Sequence, residues 1–215
     1  MNWPQVREDL ALFGDYHSPQ VEVKVRLNTN ESPYPPPEEW LEDLRRESSG
    51  IQWNRYPDRE GTQLIEAIAS FHNVSKGNII VANGSNEILQ SLYLAYGGYS
   101  RSVGIFEPTY ALHAHIARLT QTSVIIAERT PAFSVDHETA DEVLAQTPNL
   151  VFLCSPNNPT GTVESRELVS YLLEECKKIG SLLVVDEAYC EFTDWSALEL
   201  IGNESPIAIS RTFSK

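Results

Sequence analysis

Lys215 stands at the end of Arg211-Thr212-Phe213-Ser214-Lys215. A lysine amine that is desolvated, or set beside another positive group, attacks carbonyl carbons and forms Schiff bases. Asp186, in Val185-Asp186-Glu187-Ala188-Tyr189, offers a carboxylate that would favour the charged form of a cationic group facing it. Gly84-Ser85-Asn86 opens a predicted helix, where backbone N–H groups suit a phosphate. The hydroxyls of Thr212 and Ser214 could add donors, Tyr110 a flat face for stacking, and Asn158 and Tyr189 further hydrogen bonds. Each residue also has a plain reading. Lys215 alone could be a solvated lysine, and Asp186 a cap for the next segment. Asn157-Asn158-Pro159-Thr160-Gly161 could be an ordinary turn and Ser85 a helix cap. Tyr110 could be core packing, and Tyr56, before Pro57, a surface aromatic.

The elements that must position these residues follow one rhythm. Short apolar runs at Asn78–Ala82, Ser102–Phe106, Ser123–Ala127, Leu150–Cys154, Ser181–Val185 and Ile207–Ile209 mostly lack polar alternation, as parallel strands buried on both faces do. Between them lie helical stretches. Leu168, Leu172, Cys176 and Ile179 share a stripe within Ser165–Ile179, with Lys177 and Lys178 near its end and Gly180 as its stop. Leu64, Ile68 and Phe71 form a second stripe after Gly61, and Glu87–Tyr96 reads as a third helix. Pro37 followed by Glu38 and Glu39 suits another helix start. The pattern predicts an α/β fold with a doubly wound, mostly parallel sheet. Every candidate on this framework falls just beyond the carboxyl end of a predicted strand, along the edge where open α/β sheets bind ligands. Upstream, Val21–Leu27 could be a strand, but Asn28 to Pro37 is turn-rich. Residues 1–36 therefore read as an arm or part of a second, small domain, and residues 37–215 as the large domain.

Bulk properties narrow the function. A chain of 215 residues has material for one domain or one and a half. Acidic residues outnumber basic ones 30 to 16, and no Lys/Arg block interrupts them, which disfavours a nucleic-acid or anionic-membrane surface. No apolar run approaches the roughly 20 residues of a membrane span, and Met1 to Leu12 lacks a signal-peptide core. A cytoplasmic protein is expected. Cys154, Cys176 and Cys190 are too few and too scattered for a disulfide framework or a zinc site and read as reduced core thiols. His113 and His115 should point to different faces of a helix, a poor metal pair, and no histidine is assigned a role. No Walker-type or G-x-G-x-x-G loop is present.

Taken in order, Leu-Asn-Thr-Asn-Glu-Ser-Pro-Tyr (27–34), Arg-Tyr-Pro-Asp (55–58), Asn-Pro-Thr-Gly (158–161), Val-Asp-Glu-Ala-Tyr (185–189) and Arg-Thr-Phe-Ser-Lys (211–215) resemble the motifs of fold-type I, pyridoxal-phosphate (PLP)-dependent aminotransferases. The first two narrow the resemblance to the histidinol-phosphate aminotransferase branch. It implies that Lys215 carries the cofactor and shuttles protons, and that Asp186 faces its pyridine nitrogen. It further implies that Asn158 and Tyr189 bond the ring's phenolic oxygen and that Tyr110 stacks on the ring. The phosphate falls to Gly84, Ser85, Asn86, Thr212 and Ser214, with Tyr56 reaching the site of a neighbouring subunit in a homodimer.

The implied reaction is amino transfer between a small-molecule donor, histidinol phosphate, and a 2-oxo acid, 2-oxoglutarate. An aromatic amino-acid aminotransferase or a threonine-phosphate decarboxylase would use the same cofactor residues, and a non-catalytic PLP-binding module is the reading from another class. Related enzymes continue past the lysine with a phosphate-binding arginine and a small domain carrying the substrate-carboxylate arginine. The expectation is that these residues belong to a longer polypeptide and that 215 residues alone would be inactive.

Overall fold

The computed structural model describes residues 3–10, 21–202 and 204–215. Of the predicted arm, residues 1–2 and 11–20 lie outside the described residues. The chain forms two compact units, one of residues 1–17 with 83–214, the other of residues 18–82 with Lys215.

The larger unit is a parallel sheet of five strands: β1 (Ser102–Glu107), β2 (Ser123–Glu128), β3 (Leu150–Cys154), β4 (Leu182–Asp186) and β5 (Ile207–Ser210), in the order β2-β1-β3-β4-β5. Helix α3 (Ser85–Tyr96) precedes β1, and α4 (Leu112–Leu119), α5 (His137–Leu144) and α6 (Arg166–Ile179) connect the first four strands in turn. Side chains alternate across the strands. Val103, Ile105, Leu150, Phe152 and Val184 pack with Leu89 and Tyr93 of α3 and with Leu112 and Ile116 of α4. Phe106, Val151, Leu153, Leu183 and Val185 pack on the other face with Val143 of α5 and with Leu168, Leu172 and Cys176 of α6. Two apolar layers around a sheet buried on both faces explain why the strands read as unbroken apolar runs. Gly104 permits the close approach of α5, since a Cβ there would overlap the side chain of Val143.

Local signals set the helix ends. Ser165 caps α6 by accepting the Leu168 N–H at 3.1 Å, and Gly180 ends it in the left-handed region at φ 74°, as Gly allows and other residues resist. Asp136 caps α5 by accepting the Thr139 N–H at 2.8 Å. Burial pushes the Cys154, Cys176 and Cys190 thiols up to about 12, so all three are protonated and inert in the core.

The smaller unit carries α1 (Glu38–Ser49), with Pro37 in the capping position, and α2 (Thr62–His72). The Asp58 carboxylate accepts N–H bonds from Glu60 and Thr62 at 3.0 and 2.7 Å, which settles the turn of the Arg55–Asp58 motif into α2. Two predicted strands do not form here. Lys76–Asn78 is a 3-10 turn, and residues 79–82 run on without a ladder partner, with Ile80 84% exposed. Residues 21–27 are bends and irregular chain with Val21, Val23, Val25 and Leu27 exposed. An apolar run becomes a strand only where a neighbour completes its hydrogen bonds, and no described residue of this unit does so. Gly84-Ser85-Asn86 therefore begins α3 without a strand before it, and the helix starts at Ser85, two residues earlier than predicted. Among the described residues no helix is long and apolar enough to cross a membrane.

Candidate active site

The strand order reverses direction between β1 and β3. From β1 the chain winds to β2, and from β3 it winds the opposite way to β4 and β5. The pairing of β1 with β3 stops at Ile105↔Phe152, whereas β1 stays with β2 to Glu107↔Glu128 and β3 with β4 to Cys154↔Asp186. The two middle strands thus part at their carboxyl ends, which is the topological switch point where such sheets seat ligands. Tyr110 follows β1 and Asn158 follows β3, one on each side of that opening.

Asp186 is the last residue of β4 rather than the first beyond it, paired in register with Cys154 and Ser210. Strand alternation puts its side chain on the same face as Val184, towards α4, where it is 2% exposed. Its Oδ2 lies 3.1 Å from Nε2 of His113, a fully buried residue in the first turn of α4. An ionised carboxylate only accepts, so in that state the Nε2–H tautomer of His113 is the donor. The His113 ring leans on Phe152, centroids 5.2 Å apart, and stands edge-on to Tyr110 at 5.7 Å. Oδ1 of Asp186 is buried and has no hydrogen-bond partner among the described residues. A buried carboxylate with one oxygen held and the other open is a seat for a cationic N–H.

The other candidates lie as follows. The Tyr110 hydroxyl is 3.4 Å from Oδ1 of Asn86, in the first turn of α3, so Asn86, Tyr110, His113 and Asp186 form one chain of contacts. Gly84 at the N-cap brings no side-chain oxygen, leaving the Ser85 and Asn86 N–H groups at the positive end of α3 for an anion. Thr212 Oγ1 and Ser214 Oγ are 2.9 Å apart, which gathers two hydroxyls on the loop after β5. Asn158 and Tyr189 are half-buried on the loops after β3 and β4. Lys215 and Tyr56 belong to the smaller unit. There the Lys215 Nζ donates to the Thr29 carbonyl at 3.2 Å, and Tyr56 is fully exposed.

Several residues that shape this edge are given no role by the sequence. His113 lies three positions after Tyr110, one helical turn along, and only the register of α4 against β4 shows which way it faces. Glu187, 3% exposed, accepts Arg211 through Nε and Nη2 at 3.0 and 2.7 Å, and also takes the Ser196 hydroxyl and the Ala197 N–H. This fork ties the loop bearing Thr212 and Ser214 to the end of β4. Arg129 and Glu164 form a buried pair at 2.5 Å, with the guanidinium also donating to the carbonyls of Phe106 and Cys154. Burial pushes the Glu164 carboxyl up, and the Arg129 charge and the Val135 N–H oppose that rise. Glu187 and Arg211 stand inside two of the motifs and Glu164 three residues after a third, but nothing in the sequence pairs them with their partners.

A buried aspartate with one oxygen open, Tyr110 and the N-terminus of α3 thus lie by the switch point of a doubly wound parallel sheet, the edge where α/β proteins of this class bind ligands. The chain belongs to the aminotransferase class I and II family, whose sequence model matches residues 22–215. A histidinol-phosphate aminotransferase of Thermobifida fusca is 42% identical over 218 residues, covering 98% of this chain and 59% of its own length. The chain thus spans under two thirds of that relative. A crystal structure of histidinol-phosphate aminotransferase from Sinorhizobium meliloti in complex with pyridoxal-5'-phosphate superposes with a TM-score of 0.77 at 25% identity, over 87% of this chain and 51% of that one. An aspartate aminotransferase from Thermotoga maritima reaches 0.75 at 25% identity, over 87% and 53%.

Proposed function

We propose that the protein is a PLP-dependent transaminase whose amino donor is histidinol phosphate and whose acceptor is 2-oxoglutarate. Residues 37–215 are then the large, cofactor-binding domain, residues 1–36 an arm or part of the small domain, and the enzyme a cytoplasmic homodimer. The observation that carries the reading is Asp186: a buried carboxylate, oriented by His113, with Oδ1 open towards a cationic partner. The pyridine nitrogen of PLP is such a partner, so the residues present fit the group.

Bound PLP supplies an electron sink for the carbanion left when a Cα–H bond of an amino-acid substrate breaks. Asp186 keeps the pyridine nitrogen protonated, and His113 holds the carboxylate for that purpose. Asn158 and Tyr189 donate to the ring's phenolic oxygen, and Tyr110 covers a ring face. The Ser85 and Asn86 N–H groups, after Gly84, bind the phosphate with the Thr212 and Ser214 hydroxyls. Tyr56 of a second copy adds its hydroxyl to that phosphate. Lys215 would hold the cofactor covalently and, once displaced by the incoming amine, its free amine would carry the proton from the substrate's Cα to the cofactor carbon that keeps the amino group. The 42% relative supports the histidinol-phosphate assignment among amino donors.

The test uses the full-length protein. After PLP is added and borohydride reduces the linkage, peptide mass spectrometry should find a pyridoxyl group on Lys215. Lys215→Ala should still take up PLP, more weakly, and lose transamination. Histidinol phosphate should outpace aromatic amino acids as donor. A pyridoxyl group absent from Lys215 would end the cofactor reading, and a preference for another donor would end the substrate assignment alone.

A further inference from the structure

Where β1 and β3 part, the opening between them has to be spanned by something other than the ladder. Asn157 spans it. Its side chain, on the loop after β3, reaches the loop after β1 twice: Oδ1 accepts the Thr109 hydroxyl at 2.9 Å, and Nδ2 donates to the Pro108 carbonyl at 3.0 Å, 48 and 49 residues away in sequence. The second Nδ2 hydrogen goes to Thr160 Oγ1 at 2.8 Å. Its own N–H donates to the Thr162 carbonyl at 2.8 Å, and its carbonyl accepts the Gly161 N–H at 2.7 Å, which closes the turn of the Asn-Pro-Thr-Gly motif. Every donor hydrogen of the residue is used, at a position 2% exposed. Its neighbours in the sequence are the point. Asn158 is next to Asn157, and Tyr110 is next to Thr109.

We propose that Asn157, with Thr109 as its partner, is a positioning residue that sets the distance across the switch point between the stacking face of Tyr110 and the amide of Asn158. This rests on the reading of Tyr110 and Asn158 as cofactor contacts given above. Arg129 also crosses the opening, but deeper, through the carbonyls of Phe106 and Cys154. It braces the strand ends, whereas Asn157 fixes the two loops that leave them. Tyr110 is further held by Asn86 and by the edge contact with His113, so a loosened Thr109 would disturb both the stacking face and the ring that orients Asp186.

The experiment compares full-length wild type with Asn157→Asp, Thr109→Val and Thr109→Ser. Asn157→Asp keeps the acceptor and loses both amide donors, Thr109→Val loses the hydroxyl at constant shape, and Thr109→Ser keeps it. The readouts are the visible circular dichroism of bound PLP, which follows the cofactor's orientation, kcat at saturating PLP, and the melting temperature of the apoprotein. Asn157→Asp and Thr109→Val should weaken the dichroic band and lower kcat by about tenfold to a hundredfold, the scale of a small misplacement of reacting groups. Thr109→Ser should restore both to within about twofold of wild type. A purely structural tie would lower only the apoprotein melting temperature. Wild-type dichroism and kcat in the first two variants would overturn the proposal, and if Asn157→Asp does not fold, Thr109→Val decides. A wild-type protein that binds no PLP would bring down the functional reading itself, and this inference with it.

Discussion

Replacing His113 with Phe isolates the interaction on which the site turns. The substitution keeps a flat ring between Phe152 and Tyr110, whose centroids lie 5.2 and 5.7 Å from that of His113, so packing changes little. What goes is the 3.1 Å hydrogen bond to Asp186, between side chains that are 0% and 3% exposed. A hydrogen bond to a charged group contributes about 1.5–3 kcal/mol, and burial puts this one in the upper half of that range. Asp186 would then face a bound pyridinium with neither oxygen otherwise held, free to rotate and less able to keep the ring nitrogen protonated. The loss corresponds to about 40- to 150-fold in PLP dissociation constant, in kcat, or divided between them. The assay is PLP titration of the full-length apoprotein followed by steady-state transamination, in wild type, His113→Phe, Asp186→Asn and the double variant. If His113 acts through Asp186, its replacement should cost little once Asp186 is Asn, under about 0.5 kcal/mol. Equal cost in both backgrounds, or affinity and turnover unchanged in the single variant, would refute the assignment.

Two further perturbations test the frame around the site. Arg129→Met should leave Glu164 buried without its counter-charge and destabilise the fold by about 3–5 kcal/mol in denaturant melts. Burial already raises the Glu164 carboxyl in the folded state, so the group favours the fold most at acid pH and loses that contribution as pH rises through its folded value. The variant's deficit should therefore shrink below the ordinary carboxylate range, and a pH-independent deficit would count against the buried pair. Gly104→Ala should force α5 away from β1 by collision with Val143 and cost about 1–3 kcal/mol, with unaltered melting as the contrary result.

The larger unit was legible because its signals are local or strictly periodic. Ser165, Gly180 and the stripe through Leu168, Leu172 and Cys176 fix α6 within its own residues, and an apolar run buried on both faces is its own evidence for β3 and β4. A run of that kind misled at Asn78–Ala82, as did the alternating Val21–Leu27, because strand-like patterning records a capacity to pair and not the presence of a partner. Strand ends were short by a residue for a related reason. Glu107, Glu128, Asp186 and Ser210 are polar, and only the neighbouring strand shows that the ladder runs through them.

The site divides in the same way. Asp186, Asn158 and Lys215 were named from motifs, since short-range residue order is what a motif preserves, and Tyr110 from its place after a strand end. His113, Asn157, Glu187 and Arg129 act on partners 23 to 73 residues away. Nothing in the spacing of His113 and Asp186 sets them face to face. That follows from the parity of β4, which aims Asp186 at the α4 side, and from the first turn of α4, which brings His113 down onto Phe152. A residue that touches the ligand can be read from its type and its place at a strand end. One that orients it becomes legible only when two elements have packed, which is why the open oxygen of Asp186, and not the motif around it, carries the functional reading.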